Sequence, residues 1–334
     1  MIRPLADSRA VEAADPLADL ARGLFFIVGC GRSGTTLLQV MLGNHPEITL
    51  PNETGFYSLL WRRNRRRLGE LANERDFRRG FERCMDFWRV RELELDRERV
   101  WQLCQGHPTS WETLFLALLA ALAERRGATR VGEKSPGHFQ HLTLLAQRFP
   151  EARFIHLIRD PRAVVCSYYR TFGIRAIGAK CRRWREAIEQ HRLQAAALGA
   201  RYTAVRYEDL VRAPEPTLRA LCAFLGCEFS PDMLAHHERQ HLGFAAHQMH
   251  HMANTLKPVF TSSLDKWRSE LDPGQIALVE HVLGDDMREL GYELTGARGS
   301  YLGLRYRLHL VSDAWTRATR RAQALAGREV RGRN

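Results

Sequence analysis

Between residues 28 and 38 the chain reads VGCGRSGTTLL, a run in which glycines alternate with Arg32, Ser33, Thr35 and Thr36. A glycine-rich turn between a strand and a helix aims backbone N–H groups and the positive helix end at an anion. Gly31, Arg32, Ser33, Gly34, Thr35 and Thr36 therefore form a candidate oxyanion cradle, although a plain tight turn would also use such residues. Gly29 and Gly34 stand in the frame of a P-loop, but Thr35 and Thr36 occupy the places of its Lys and Ser/Thr. Triphosphate enzymes need that lysine and an acid for Mg²⁺. A metal-dependent kinase is thus disfavoured, and Arg32 supplies the positive charge inside the loop instead.

A second cluster is RDPRAVVCSYY, beginning at Arg159. Arg159 ends an apolar run, and Ser167 follows about two helical turns later. Both could face an anion over the carboxyl edge of a sheet, where open α/β folds bind ligands. Asp160 reads as a helix cap, with Pro161 in the first turn.

These clusters need elements to hold them. Leu24–Val28 is β-like, TTLLQVMLGNHP is a helix ending near Gly43, and ITL leads into PNETGFY. Residues 61–110 are rich in Arg and Glu with Trp and Phe at helical spacing, an amphipathic helical insertion or lid. A helix at 111–126, a strand in TRVGEKSP, a helix in HFQHLTLLAQRFP and a strand in ARFIHLI come next. Helix 180–198, strand RYTAVRY and helices near 214–226 and 273–290 continue the alternation. The expected fold class is α/β: a P-loop-NTPase-like parallel sheet flanked by helices, with a helical insertion. The domain reading is a polar leader over 1–22, one domain over 23–295 and a basic tail over 296–334.

Of 334 residues, 45% are hydrophobic, enough for a real core, and the net charge of +12 suits a polyanion, an anionic membrane or an anionic cosubstrate. No run nears about 18 apolar residues and the N-terminus lacks a signal-peptide core, so a cytoplasmic location follows by default. The seven cysteines contain no CxxC pair, so neither a disulfide framework nor a zinc site is indicated. Only four of the 50 basic residues are lysines, at 134, 180, 257 and 266, which singles out places where a compact ammonium is wanted. The basic tail reads as a solvated segment or a weak membrane-surface helix. The His-rich 247–251 segment lacks the carboxylate or Cys spacing of a metal site.

CGRSGTTLL together with RDPRAVVCSYY resembles the 5′-phosphosulfate and 3′-phosphate binding motifs of PAPS-dependent sulfotransferases, where PAPS is 3′-phosphoadenosine 5′-phosphosulfate. EKSPGHFQHLTLLAQRFPEARFIHLIRDPRA, AVRYEDL and KPVFTSSLDKW follow in family-like order, extending the likeness from about residue 24 to 292. Within the family, GRSGTTLLQVMLGNHPEITLPNET is most similar to the tyrosylprotein branch and its bacterial relatives.

The resemblance implies roles. Glu53 would be the catalytic base, a task that favours a raised pKa, with His45 ranked second. Arg32 would bind the 5′-phosphosulfate and Lys134 would stabilise the transition state. Arg159 and Ser167 would hold the 3′-phosphate, Tyr207 would lie by the adenine, and Lys266, or more weakly Lys257, would be a late phosphate contact. PAPS would be the cosubstrate, without metal. A serine expected upstream of the KPV segment has no secure counterpart in HQMHHMANTLKPVF, which leaves the acceptor open. The first reading is sulfuryl transfer to a carbohydrate, glycolipid, small alcohol or phenol, with a peptide tyrosine as the alternative. A P-loop kinase and a non-catalytic basic protein binding nucleic acid or membrane are the competing classes.

Overall fold

LFFIVG and ARFIHLI are apolar at successive positions rather than alternate ones, the pattern of strands covered on both faces. In the computed structural model, which describes residues 15–172, 177–238 and 257–298, they form adjacent central strands. The strands are β1 (Phe25–Gly29), β2 (Ile48–Thr49), β3 (Arg130–Lys134), β4 (Arg153–Ile158) and β5 (Tyr202–Arg206). They run parallel in the order β2-β3-β1-β4-β5. Side chains alternate across β1: Phe26 and Val28 join the aromatic core of Phe56, Trp111 and Phe115, whereas Phe25 and Ile27 pack with Leu38, Met41 and Leu218 on the other face.

Because β3 and β4 flank β1 on opposite sides, the chain opens a crevice at the carboxyl edge, where ligands of such sheets bind. Helices α1 (Pro16–Gly23) and α2 (Thr35–Gly43) bracket β1 in the chain. The segment foreseen as helical holds α3 (Arg62–Leu68), α4 (Glu74–Met85), α5 (Trp88–Arg91) and α6 (Arg97–Cys104). Asn73, Asp96 and Ser110 cap α4, α6 and α7 (Trp111–Arg126) through their side chains. Two local features differ from expectation. Phe56–Trp61 is a π-helical turn, and HFQHLTLLAQRFP divides into a 3₁₀ turn at Pro136–His141 and α8 (Leu142–Arg148).

Helices α9 (Pro161–Phe172), α10 (Ile177–Leu198), α11 (Tyr207–Arg212) and α12 (Pro214–Leu225) follow the later strands. Asp160 does cap α9: its Oδ1 accepts from the Arg162 N–H at 2.8 Å. Arg162 is buried between Asp160 at 2.7 Å and Glu280 at 2.6 Å and lies over the Trp267 ring, which pins the end of β4 that carries Arg159. Such a pair holds geometry more surely than it adds stability. Among the described residues no helix is long and apolar enough to cross a membrane. Most of the polar leader (1–14), the His-rich segment 247–251 and the basic tail from 299, with the membrane contact considered for it, lie outside the described residues.

Candidate active site

A cleft of about 810 Å³ opens at the carboxyl edge of the sheet, with Arg32, Glu53, Arg159, Ser167 and Tyr207 in its lining. The loop after β1 enters it with Arg32 at φ 72° and Gly34 at φ 95°. At Gly34 this backbone and the neighbourhood both demand glycine, since an added Cβ would come 2.2 Å from the Tyr207 ring. The loop and the second cluster meet directly: Arg32 Nε donates to Ser167 Oγ at 3.0 Å. Arg159 donates to the Arg32 carbonyl at 3.1 Å and to the Ser263 carbonyl at 3.2 Å, and its guanidinium stacks 4.1 Å from the Tyr207 ring centre. Tyr207 in turn contacts Ser263 Oγ at 3.3 Å. Lys266 lines the far wall, where its ammonium lies 5.6 Å from the Phe260 ring centre.

Glu53 and Lys134 converge from different segments. Lys134 Nζ donates to Glu53 Oε1 at 2.6 Å and lies 3.4 Å from Thr36 Oγ1. The lysine side chain is 3% exposed beneath the cleft, whereas Glu53 keeps 32% of its side chain open. Arg89, delivered by α5, donates to the Glu53 carbonyl at 2.8 Å and reaches its Oε2 at 3.3 Å. Burial alone would raise the Glu53 carboxyl, but the Lys134 ammonium and the Arg89 guanidinium outweigh it and hold the group below the usual carboxylate range. The raised value expected from sequence is therefore corrected: in the free protein Glu53 is an ion-paired carboxylate.

Under this pair lies a buried clamp. Glu133 Oε1 accepts from Thr54 Oγ1 at 2.7 Å and from Ser135 Oγ at 2.6 Å, while the Gly55 N–H donates to Ser135 at 3.0 Å. One carboxylate oxygen thus ties the residue after Glu53 to the residue after Lys134. Glu133 Oε2 lies 2.7 Å from His138 Nδ1, both side chains fully buried. Burial would raise Glu133, and the His138 charge and the hydroxyl donors reverse that and lower it.

His45 is not in the cleft. Helix α2 carries it about 15 Å from the loop end, where its Nε2 contacts the Glu228 carbonyl at 2.7 Å and its Nδ1 accepts from the Glu47 N–H. Its place as second candidate base is overturned. Lys257 and Ser33 do not line the cleft either, though Ser33 sits buried within the loop. Arg89 and Arg183, which no sequence feature singled out, line the cleft from helices, and so does Lys180. Lys180 was singled out by the scarcity of lysine, but nothing in the spacing marked Arg89 among so many arginines.

The loop suits an anion. Arg159 Nε is buried beside the cleft without a hydrogen-bond partner, an expense that a bound oxyanion would relieve. A model of the sulfotransferase family matches residues 25–231. The chain belongs to the sulfotransferase family. Protein-tyrosine sulfotransferase 2 of Gallus gallus is 28% identical over 81% of this chain and 69% of its own length. Protein-tyrosine sulfotransferase 1 of Danio rerio is also 28% identical, over 81% and 72%. Among solved structures, the sulfotransferase domain of the Synechococcus PCC 7002 olefin synthase superposes with a TM-score of 0.58 at 26% identity, covering 81% of this chain and 95% of that domain. This sulfotransferase uses PAPS and a hydroxyl-bearing acceptor.

Proposed function

We propose that the protein sulfates a tyrosine hydroxyl in a peptide or protein, with Glu53 as general base. The sequence reading put a carbohydrate, glycolipid or small alcohol first, and the protein-tyrosine sulfotransferases among the relatives favour reversing that order. PAPS, when bound, supplies the sulfuryl group. Arg32, the loop from Gly31 to Thr36 and Lys134 would then surround the developing negative charge, the kind of preorganised electrostatics that dominates such transfers. Arg159 and Ser167 would hold the 3′-phosphate, Tyr207 would pack by the adenine and Lys266 would close the phosphate side. Glu53 would take the acceptor proton on a carboxylate oxygen that faces the open cleft.

The observation that carries this reading is the 2.6 Å contact between Glu53 and Lys134, at the mouth of a cleft whose other wall brings Arg32 against Ser167. It sets a base and a cation side by side next to the anion loop. Two measurements test it. Calorimetry should show tight binding of PAP, the desulfated product, with EDTA present, and weaker binding of ATP with Mg²⁺. Radiolabelled PAPS should transfer sulfate to a tyrosine peptide but not to the Phe-substituted peptide. Transfer to sugars alone would return the acceptor to the first reading.

A further inference from the structure

Cysteines 222 and 227 were unremarkable by spacing, yet the fold places them together. Cys222 lies in the last turn of α12 and Cys227 just beyond the cap residue Gly226. The Cys227 N–H donates to the Cys222 carbonyl at 3.0 Å, the closure that brings the fourth-last helical residue against the residue just past the cap. Both sulfurs and a ring nitrogen of His45 lie within 4.8 Å of one another. A metal would need one of those ring nitrogens, but the Glu228 carbonyl and the Glu47 N–H already engage both. The two sulfurs remain close enough to react with each other, with Cys222 Sγ donating weakly to Met233 Sδ and Cys227 Sγ to the Cys222 carbonyl, each at 3.7 Å.

The seven thiols are not equivalent. Six are buried and Cys227 alone is partly exposed. Burial pushes Cys30, Cys104 and Cys166 up to about 12. Cys227 moves the other way, downward, through the hydrogen bond with Cys222 and the positive charge of Arg130, against the effect of burial. Cys222 is correspondingly raised and remains a thiol. A thiolate with some access to solvent, beside a protonated thiol, is the arrangement of an attacking and a resolving sulfur.

We propose that Cys227 and Cys222 are a peroxide-reactive dithiol. The Cys227 thiolate attacks one oxygen of hydrogen peroxide, so an S–O bond forms, the O–O bond breaks and the departing hydroxide leaves as water after taking a proton. The Cys222 sulfur then attacks Cys227, losing its proton as the S–S bond forms and the S–O bond breaks, releasing a second water. Two electrons pass from the pair of thiols to one peroxide.

The test uses the full-length protein under native conditions, exposed to hydrogen peroxide, alkylated and digested with trypsin. The peptide that carries both cysteines should become lighter by two hydrogen atoms, recover on reduction with dithiothreitol, and form at least about tenfold faster than any oxidation of Cys166. C222S should stop at a sulfenic acid on Cys227 that a 1,3-dione probe captures. C227S should leave Cys222 unoxidised. Cys227 reacting no faster than Cys166, or C227S oxidising at Cys222 at the wild-type rate, would overturn the proposal. So would retention of Zn²⁺ by both thiols with protection from peroxide.

Discussion

The ion-paired state of Glu53 makes a specific demand on the pH dependence of turnover. The profile of kcat/KM reports groups of the free enzyme, so the contacts of Glu53 with Lys134 and Arg89 apply to it directly. With the carboxyl held below the ordinary carboxylate range by Lys134 and Arg89, Glu53 stays ionised into mildly acidic solution. Sulfate transfer from radiolabelled PAPS to a tyrosine peptide should therefore keep its neutral kcat/KM down to about pH 5.5, provided circular dichroism shows the fold intact. Arg89→Met removes one of the two cations that oppose burial, so its acid limb should move to higher pH. Glu53→Gln should lower turnover by about 10²–10⁴-fold, the usual yield of a positioned base. A wild-type acid limb centred near about pH 6.5, unmoved by Arg89→Met, would refute Glu53 as the titrating base.

The remaining expectations concern binding and positioning. Arg159→Ala should weaken PAP by about 2–3 kcal/mol in calorimetry, the worth of a hydrogen bond to a charged group, while Glu53→Gln should shift PAP affinity by under about threefold; equal losses would remove the division of roles. Gly34→Ala forces a Cβ to within 2.2 Å of Tyr207 at φ 95°, so both melting temperature and PAP affinity should fall, and an unchanged pair of values would contradict the packing. Glu133→Gln should lower kcat while PAP affinity stays near wild type, because the fully buried Glu133 carboxylate orders the segments of Glu53 and Lys134 from beneath the cleft. Glu133→Ala should in addition cost about 3–5 kcal/mol in urea unfolding, since it strands buried His138.

The anion loop and the strand-end arginine were legible in the chain because their physics is local. A glycine-bounded turn entering a helix presents N–H groups wherever it occurs, and an Arg-Asp-Pro that ends a strand fixes its own cap. The alternation of strand and helix was likewise readable from runs of a few residues, and β1, β4 and β5 formed where LFFIV, ARFIHLI and RYTAVRY stand. The 3₁₀ and π turns were not, since both depend on the packing of Phe56, Tyr57 and Phe139 in the core.

Which side chains meet was decided by the tertiary structure. Lys134 could be named from its segment, but its 2.6 Å contact with Glu53 exists because β2 lies beside β3 in a register that sets Thr49 opposite Val131 and carries the segment after β2 alongside Lys134. The Glu53 carboxyl is lowered first by Lys134 and further by Arg89, one guanidinium among many, brought from α5 by helical packing that no spacing encodes. His45 was close to the loop in sequence and far from it in space, because a rigid helix separates its two ends by its full length. The sequence by itself determined where the candidate anion loop and the strand-end arginine stand, since that chemistry belongs to backbone and neighbours; the charge state of Glu53 came from residues that only the folded chain makes adjacent.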